Sequence, residues 1–184
     1  MKNLLNCHSV GTHSFPISFE GNLYKRVFYA EATHNLWKVN PLEIAIHPHH
    51  VDIKITVLDG ELYNCLYGKS NHGKWWNRFI WDSVILNGTG GFKKDGHEKL
   101  KLISKTGYKK GESFVMKACE LHTVFVKKNK KAVWFIEEEV PTCEYFPVNY
   151  SNTDLTKWSS AGLYQEVDDR IKMNFIKDYL PLIT

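Results

Sequence analysis

Three histidines in two short apolar segments are the residues of this 184-residue chain whose type and spacing suit a metal ion. His47 and His49 lie two residues apart, and apolar side chains follow at alternate positions: Val51, Ile53, Ile55 and Val57. Because the side chains of a strand alternate between its faces, we expect both imidazoles to point inward, about 7 Å apart along the chain. Such imidazoles can converge on one ion, since each bond to a first-row metal is about 2.0 to 2.2 Å long. The pair alone also fits histidines at a sheet edge that hydrogen-bond to backbone carbonyls, with Pro48 marking an edge position.

A third histidine strengthens the metal interpretation. His122 heads a second apolar row, because Val124 and Val126 share its face of the predicted strand. Glu120 has the same parity, so its carboxylate is a candidate fourth ligand or an acceptor for an imidazole N–H. The sequence therefore predicts a metal site made by the three histidines, with Glu120 beside them.

The elements that must position these side chains are predicted to be strands. Turn signals such as Asp59-Gly60 recur roughly every eight to fifteen residues, and no long helical pattern separates them. This spacing is typical of an antiparallel β-sandwich or barrel, so the predicted fold is all-β. The predicted strands include Leu23 to Ala30, Ile53 to Leu66, Phe79 to Leu86, Lys99 to Ser104, Ser113 to Lys117, Thr123 to Val126 and Ala132 to Glu137.

The end of the chain has a different pattern, which predicts a helix over residues 165–180. Four apolar side chains recur every fourth residue, as one helical face requires: Val167, Ile171, Phe175 and Tyr179. Asp168 and Asp169 near the start favour a helix N-terminus, and Pro181 is expected to end the helix. We therefore predict a β-barrel domain over residues 1–150 and a helical tail over residues 151–184 that packs on the outside of the barrel.

The arrangement of these motifs resembles the cupin superfamily, whose small β-barrels hold a divalent metal between histidines of two motifs. The resemblance covers roughly residues 42–139. It rests on His47-x-His49, on Val57-Leu58-x-Gly60-x-Leu62, in which Gly60 matches the turn glycine of the first motif, and on Leu121-His122-x-Val124. It implies a cupin-type antiparallel barrel, or double-stranded β-helix, closed here by the C-terminal helix. Within the superfamily the pattern is most similar to the three-histidine branch that includes cysteine dioxygenase.

The resemblance also implies a metal and two alternative functions. The usual motif-one glutamate would fall at Ile53 or Lys54, so the expected ligand set is the three histidines alone. Three neutral imidazoles leave coordination positions open, which favours Fe(II), with Ni, Mn or Zn as alternatives. An oxygenase-type enzyme acting on a small molecule, similar to a mononuclear Fe(II) dioxygenase, is the first expectation. The alternative is a non-catalytic protein on the same fold that binds or sequesters an anionic small molecule such as a nucleotide.

Several aromatic and cationic side chains are candidate contacts for that small molecule. One segment, which its composition predicts to be a loop between strands, contains Trp75, Trp76 and Arg78. Indoles and cations in such a loop suit a planar anionic ligand. The same segment also fits a surface loop whose tryptophans pack on the barrel rim. Arg26 could reach the mouth of the barrel from another strand.

Composition narrows the class of protein. The formal net charge is only +4, short of the concentrated basic stripe of a dedicated nucleic-acid binder, so a nucleic-acid partner is not expected. No stretch approaches the roughly 20 apolar residues of a membrane span, and four cysteines without CxxC spacing suit reduced thiols. Histidines and a cysteine interrupt the first 16 residues, which do not suit a signal peptide. We expect a cytoplasmic protein with a small-molecule ligand and no membrane partner. A homodimer is compatible with the sequence.

Overall fold

The structure, a computed structural model, is built almost entirely from antiparallel strands. It describes residues 2–7, 11–32, 45–82, 91–139, 148–152, 157–159 and 164–183. The strands are β1 (Asn3–Leu5), β2 (Thr12–Glu20), β3 (Leu23–Glu31), β4 (Ile53–Asp82), β5 (Gly91–Lys109), β6 (Ser113–Met116), β7 (Leu121–Phe125), β8 (Lys131–Glu139), β9 (Val148–Ser151), β10 (Lys157–Ser159) and β11 (Gln165–Val167). A helix, α1 (Asp169–Ile176), and a 3₁₀ helix (Lys177–Leu182) follow. The predicted all-β fold with a C-terminal helix is confirmed.

Strand β4 organises the sheet because it belongs to both halves. The strand order is β10-β5-β4-β8-β3-β2-β1-β11, and β6, β7 and β9 also pair with β4. Residues 53–60 pair with β8, and residues from 61 onward pair with β5 and β7. The change of partner follows a bulge between Val57 and Asp59. Gly60 makes it possible: its φ is +74°, and a side chain there would collide with the carbonyl oxygen of Lys131.

The main core lies between the two halves of the sheet. Ile53, Ile55 and Val57 of β4 are at most 1 % exposed, and Leu62 lies in the same cluster beyond the bulge. The same cluster includes side chains of β3, β6, β7 and β8 and of the residue that follows β7: Phe28, Ala30, Phe114, Met116, Val124, Val126, Ala132, Trp134 and Ile136. In this part of β4 every second side chain is buried, as expected for the inward row that follows the first two histidines.

The prediction of a loop at residues 69–78 is wrong, because these residues continue β4. They form an extended hairpin with β5, in which Trp75 is opposite Lys99 and Trp76 is opposite Glu98. Lys69 and Lys74 both align with Leu100, so the residues between them form a bulge. Gly73 returns the chain to the ladder, since a Cβ there would lie 2.5 Å from the backbone of Leu100. The predicted strand Phe79–Leu86 is observed only as the end of β4 at Asp82, and residues 83–86 lie outside the described residues.

The helix of the tail begins later than predicted. Gln165–Val167 is a strand that pairs with β1, and the helix begins after Asp168, whose carboxylate accepts the amides of Arg170 and Ile171. Pro181 does not end the helical segment, because it lies inside the 3₁₀ helix.

The tail packs on the outer face of the sheet. Phe175 and Tyr179 contact a cluster of buried side chains from the far side of β2, β3 and β8, which includes Phe15, Val27 and Phe135. Ile176, which is not on the predicted helical face, is the fully buried residue of the helix. The domain boundary predicted at residue 150 lies inside β9, and the two-part division stays a prediction.

In the part of the chain that the structure describes, no helix has the length and apolar character needed to span a membrane.

Candidate metal centre

Backbone pairing brings the two histidine-bearing segments together. The amide of His47 donates to the carbonyl of His122 at 2.9 Å, and the amide of His122 donates to the carbonyl of His47 at 3.1 Å. His122 also aligns with Leu66 of β4, which fixes β7 beside the bent strand. Two residues further on, the carbonyl of His49 accepts the amide of Cys119 at 2.8 Å. The segments on either side of the site are therefore held by main-chain hydrogen bonds.

The three imidazoles converge on one point. Their ring centroids are 4.8 to 4.9 Å apart, and one ligand nitrogen from each ring lies within 4.8 Å of the other two. The Nε2 atoms of His49 and His122 are 2.9 Å apart. Nitrogens bound to one ion at about 2.1 Å can be no more than about 4.2 Å apart. The pair of His49 and His122 meets this limit, and the 4.8 Å spread of the three nitrogens is slightly above it, so a small shift of the rings completes the set. The group His47, His49 and His122 could hold a metal ion.

Two carbonyl oxygens orient the rings. Nδ1–H of His47 donates to the backbone carbonyl of Ala45 at 2.7 Å, and Nδ1–H of His122 donates to Oδ1 of Asn64 at 3.1 Å. A proton held on Nδ1 leaves the lone pair on Nε2, which is the tautomer that a metal ligand needs. His122 is only 2 % exposed, so its orientation is also fixed by packing. The donor set and its hydrogen bonds therefore fit a divalent transition metal.

Asn64 is the functional residue that sequence reasoning missed. It lies on β4 opposite Val124, with the parity of the buried Leu62, so its amide faces the interior among apolar residues. A polar side chain in an otherwise apolar inward row was the available signal. This sequence signal does not identify the hydrogen-bond partner of Asn64, because only the pairing of β4 with β7 places Asn64 beside His122.

Replacing Asn64 tests this orienting contact. We expect Asn64→Leu to weaken metal binding by about 10- to 100-fold, the range seen when a hydrogen-bond partner of a metal-bound histidine is lost. Competition with a chromogenic chelator measures the affinity. Asn71→Leu, exposed in the bulge of β4 with a described hydrogen bond only to its backbone carbonyl, is the control. An unchanged affinity in Asn64→Leu would contradict the role assigned to the amide.

The structure places Glu120 next to the site but engages its carboxylate elsewhere. Oε2 of Glu120 accepts the backbone amide of Lys117 at 2.8 Å, which closes the turn before β7. Among the described contacts, none joins this carboxylate to an imidazole, so its role as ligand or acceptor stays a prediction.

The four predicted ligand contacts are not brought together. Arg26 donates to the hydroxyls of Ser14 and Tyr24 on the β2–β3 side of the sheet. Trp75 is 59 % exposed and carries the ammonium of Lys99 over its ring. Trp76 packs edge-on against Tyr67.

Arg78 alone among the four lines the cleft that reaches the histidines. This cleft, of about 780 Å³, is bounded by His49, by the turn before β7 and by parts of β4, β5 and β9. Its polar wall holds two ion pairs, Arg78 with Asp95 at 2.6 Å and Lys69 with Glu98 at 2.8 Å. Tyr67, Leu121 and Val148 supply its apolar wall. A small molecule in this cleft would lie beside His49.

Tyr150 is a neutral hydrogen-bonding group in the same cleft. Its hydroxyl donates to Oε2 of Glu98 at 2.9 Å. Burial, together with the adjacent Glu98 carboxylate, raises the pKa of Tyr150 to about 12. The pKa of Glu98 is lowered, because hydrogen bonds from Lys69 and Tyr150 outweigh its partial burial. The cleft therefore presents a carboxylate and a protonated phenol in fixed positions at neutral pH.

Comparison with known proteins gives matches to solved structures only. No family model matches the chain, and no curated protein matches it. A cupin-2 domain protein from Shewanella frigidimarina is 12 % identical, with 69 % of this chain and 79 % of that chain covered and a TM-score of 0.39. Hydroxypropylphosphonic acid epoxidase from S. wedmorenis is 10 % identical, with 76 % and 55 % covered and a TM-score of 0.45. Hydroquinone 1,2-dioxygenase PnpCD is 12 % identical, with 70 % and 64 % covered and a TM-score of 0.41.

These likenesses concern the fold and say nothing of activity. All three TM-scores are below 0.5, so the cupin resemblance rests on the sequence motifs, and the cysteine-dioxygenase-like subtype stays a prediction.

Proposed function

We propose that this chain is a mononuclear metalloprotein that binds a divalent metal through His47, His49 and His122, with Fe(II) as the preferred metal. We further propose that it is an oxygenase-type enzyme acting on a small molecule held in the cleft beside His49. The observation that carries the proposal is the convergence of three imidazoles, two of them oriented by carbonyl oxygens. His47, His49 and His122 would hold a ferrous ion as three neutral ligands, and the bound ion would supply open coordination positions for a donor atom of the substrate and for dioxygen.

The protein's own part is to orient the ligands and to position the substrate. Ala45 and Asn64 hold the protons of two imidazoles on Nδ1. In the cleft, Arg78 offers a guanidinium whose Nη1 is paired with Asp95, and Tyr150 offers a hydroxyl. These groups suit a substrate with a polar or anionic end near Arg78 and an apolar part against Tyr67 and Leu121. The neighbouring structures include a dioxygenase and an epoxidase by name, which is compatible with this proposal.

A non-catalytic protein that binds an anionic small molecule is the second candidate. Two cations on the cleft wall, Lys69 and Arg78, favour it. Each is already paired with a carboxylate, so an anion must displace or share that partner. Stacking on tryptophan, which a nucleotide would use, is not supported, because neither Trp75 nor Trp76 lines the cleft. A cytoplasmic location and a homodimer remain expectations from the sequence.

Metal content and oxygen uptake separate the two candidates. We expect the purified protein, reconstituted with Fe(II) without oxygen, to retain close to one iron per chain after gel filtration. It should then consume oxygen with at least one member of a panel of small thiols, phenols and hydroxy acids. Arg78→Ala should retain the iron and lose most of that uptake, because it alters only the cleft. Stoichiometric metal without any uptake would contradict the oxygenase activity with this panel. Absence of every transition metal would reject the metal site and the oxygenase together and would favour the non-catalytic binding protein.

A further inference from the structure

The hairpin formed by residues 61–82 of β4 and residues 91–109 of β5 carries an edge that no described strand covers. β10 pairs only with residues 91–93 of β5, and no other described strand contacts that side of residues 94–109. Seven consecutive residues of β5, 101–107, are exposed, so neither face of the strand is covered there. An edge of this kind presents backbone N–H and C=O groups that can pair with another extended chain.

Charge is concentrated on this hairpin. Residues 61–110 contain ten Lys and Arg residues against four Asp and Glu residues, a formal net charge of +6. The whole chain carries +4, so the remaining residues carry a net charge of −2. The modest total therefore hides a strongly basic element, and β5 with the turn residue Lys110 supplies seven of its lysines. A surface with this charge attracts an acidic partner and repels a second copy of itself.

Exposed apolar side chains lie among these lysines. Leu102 is 45 % exposed and Ile103 is 60 % exposed, and Ile103 is the extra residue at a shift of register between the pairs Leu66–Ser104 and Tyr67–Leu102. Lysines alone are a common protection of sheet edges against self-pairing. Two adjacent large apolar residues favour association, so they do not suit an edge that only prevents pairing. The combination instead suits a partner that brings both negative charge and apolar contacts.

We propose that the open edge of β5 binds an extended acidic segment of another protein, which adds to the sheet as a further strand next to residues 100–107. The backbone on either side of Ile103 would provide the pairing, Lys101 and Lys105 would select acidic side chains, and Leu102 and Ile103 would contact apolar residues of the segment. Single-stranded nucleic acid is less well matched, because it needs free aromatic faces for stacking. The rings of Tyr63 and Phe125 are covered by the ammonium groups of Lys127 and Lys105, each 4.6 Å from a ring centroid.

Fluorescence anisotropy with a labelled peptide tests this surface. The probe is a peptide of about twelve residues that alternates glutamate with valine or isoleucine, long enough to span the exposed edge. We expect the full-length protein to bind it, and Lys101→Glu/Lys105→Glu to weaken binding at least about tenfold. Lys2→Glu/Lys177→Glu, with the same charge change on exposed lysines elsewhere, should alter binding less than about twofold. Ile103→Ser should weaken binding severalfold without changing the thermal midpoint.

Three further measurements decide the mode of binding. The same peptide with a central proline should not bind, because proline removes a ladder hydrogen bond. Equal binding of the proline peptide would overturn strand addition, since it would indicate charge attraction alone. Tighter binding of an oligothymidylate of equal charge would assign the edge to nucleic acid. A dimer of the free protein that Ile103→Ser dissociates would assign the edge to a second copy of the chain. Absence of peptide binding by the unaltered protein would also overturn the proposal.

Discussion

The variants His122→Ala and His49→Ala will retain less than about a tenth of the metal that the unaltered protein binds. Each removes one of three ligands, and the loss of a ligand exceeds the 10- to 100-fold loss expected for an orienting partner. His49 is half-buried at the cleft, so its removal leaves the core row of Val124 and Val126 untouched. Elemental analysis by mass spectrometry after dialysis measures the metal, and thermal unfolding in the presence and absence of metal gives a second readout. A bound ion raises the midpoint of the unaltered protein and not that of the variants.

His72→Ala is the matched control for these two variants. His72 is exposed in the bulge of β4, and its described hydrogen bond uses the backbone amide, which the substitution retains. It should bind metal like the unaltered protein. If both His49→Ala and His122→Ala kept their metal and their metal-dependent shift in midpoint, the ion would lie elsewhere and the three-histidine site would be rejected.

The candidate metal site was more predictable from the sequence than its surroundings. Parity along a strand predicts inward rows headed by His47, His49 and His122, and the row of His122 holds on β7. His47 and His49 precede β4, which begins at Ile53, and the backbone pairing of His47 with His122 places them instead. The orienting contact of Asn64 and the cleft beside His49 depend on which strands pair with β4. A local pattern contains no information on such partners, because they are 50 or more residues away in the chain.

The errors in the fold have the same origin. Residues 69–78 combine Gly, Asn and charged residues, a composition that locally favours a loop. Pairing with β5 overrides that preference, and the approach of Gly73 to Leu100 turns a loop signal into a bulge. In the tail, Val167 fitted the helical period, yet the register of Asn3 with Val167 makes it part of a strand. Short segments at element ends are decided by such distant partners.

Ile176→Ala will destabilise the protein by about 2 to 5 kcal/mol, which lowers the thermal midpoint by on the order of 10 °C. Ile176 is 0 % exposed and belongs to the cluster with Phe15, Val27 and Phe135 on the outer face of the sheet. Its truncation leaves a cavity that the strands below cannot fill. Removal of residues 168–184 should have a larger effect and expose that apolar face, so the shortened chain should aggregate.

Metal binding should survive these changes, because the tail and the three histidines lie on opposite faces of the sheet that contains β3. Val27 and Phe28, neighbours on β3, mark these two faces. Phe28 points to the main core and Val27 to the tail. Met173→Ala, on the exposed side of the same helix, should shift stability by less than about 0.5 kcal/mol and is the control. Calorimetry and metal analysis of the same samples give the two readouts. If Ile176→Ala kept its midpoint but lost metal or cleft ligand, the tail would act as a lid over the site, and its position on the outer face would not account for its role.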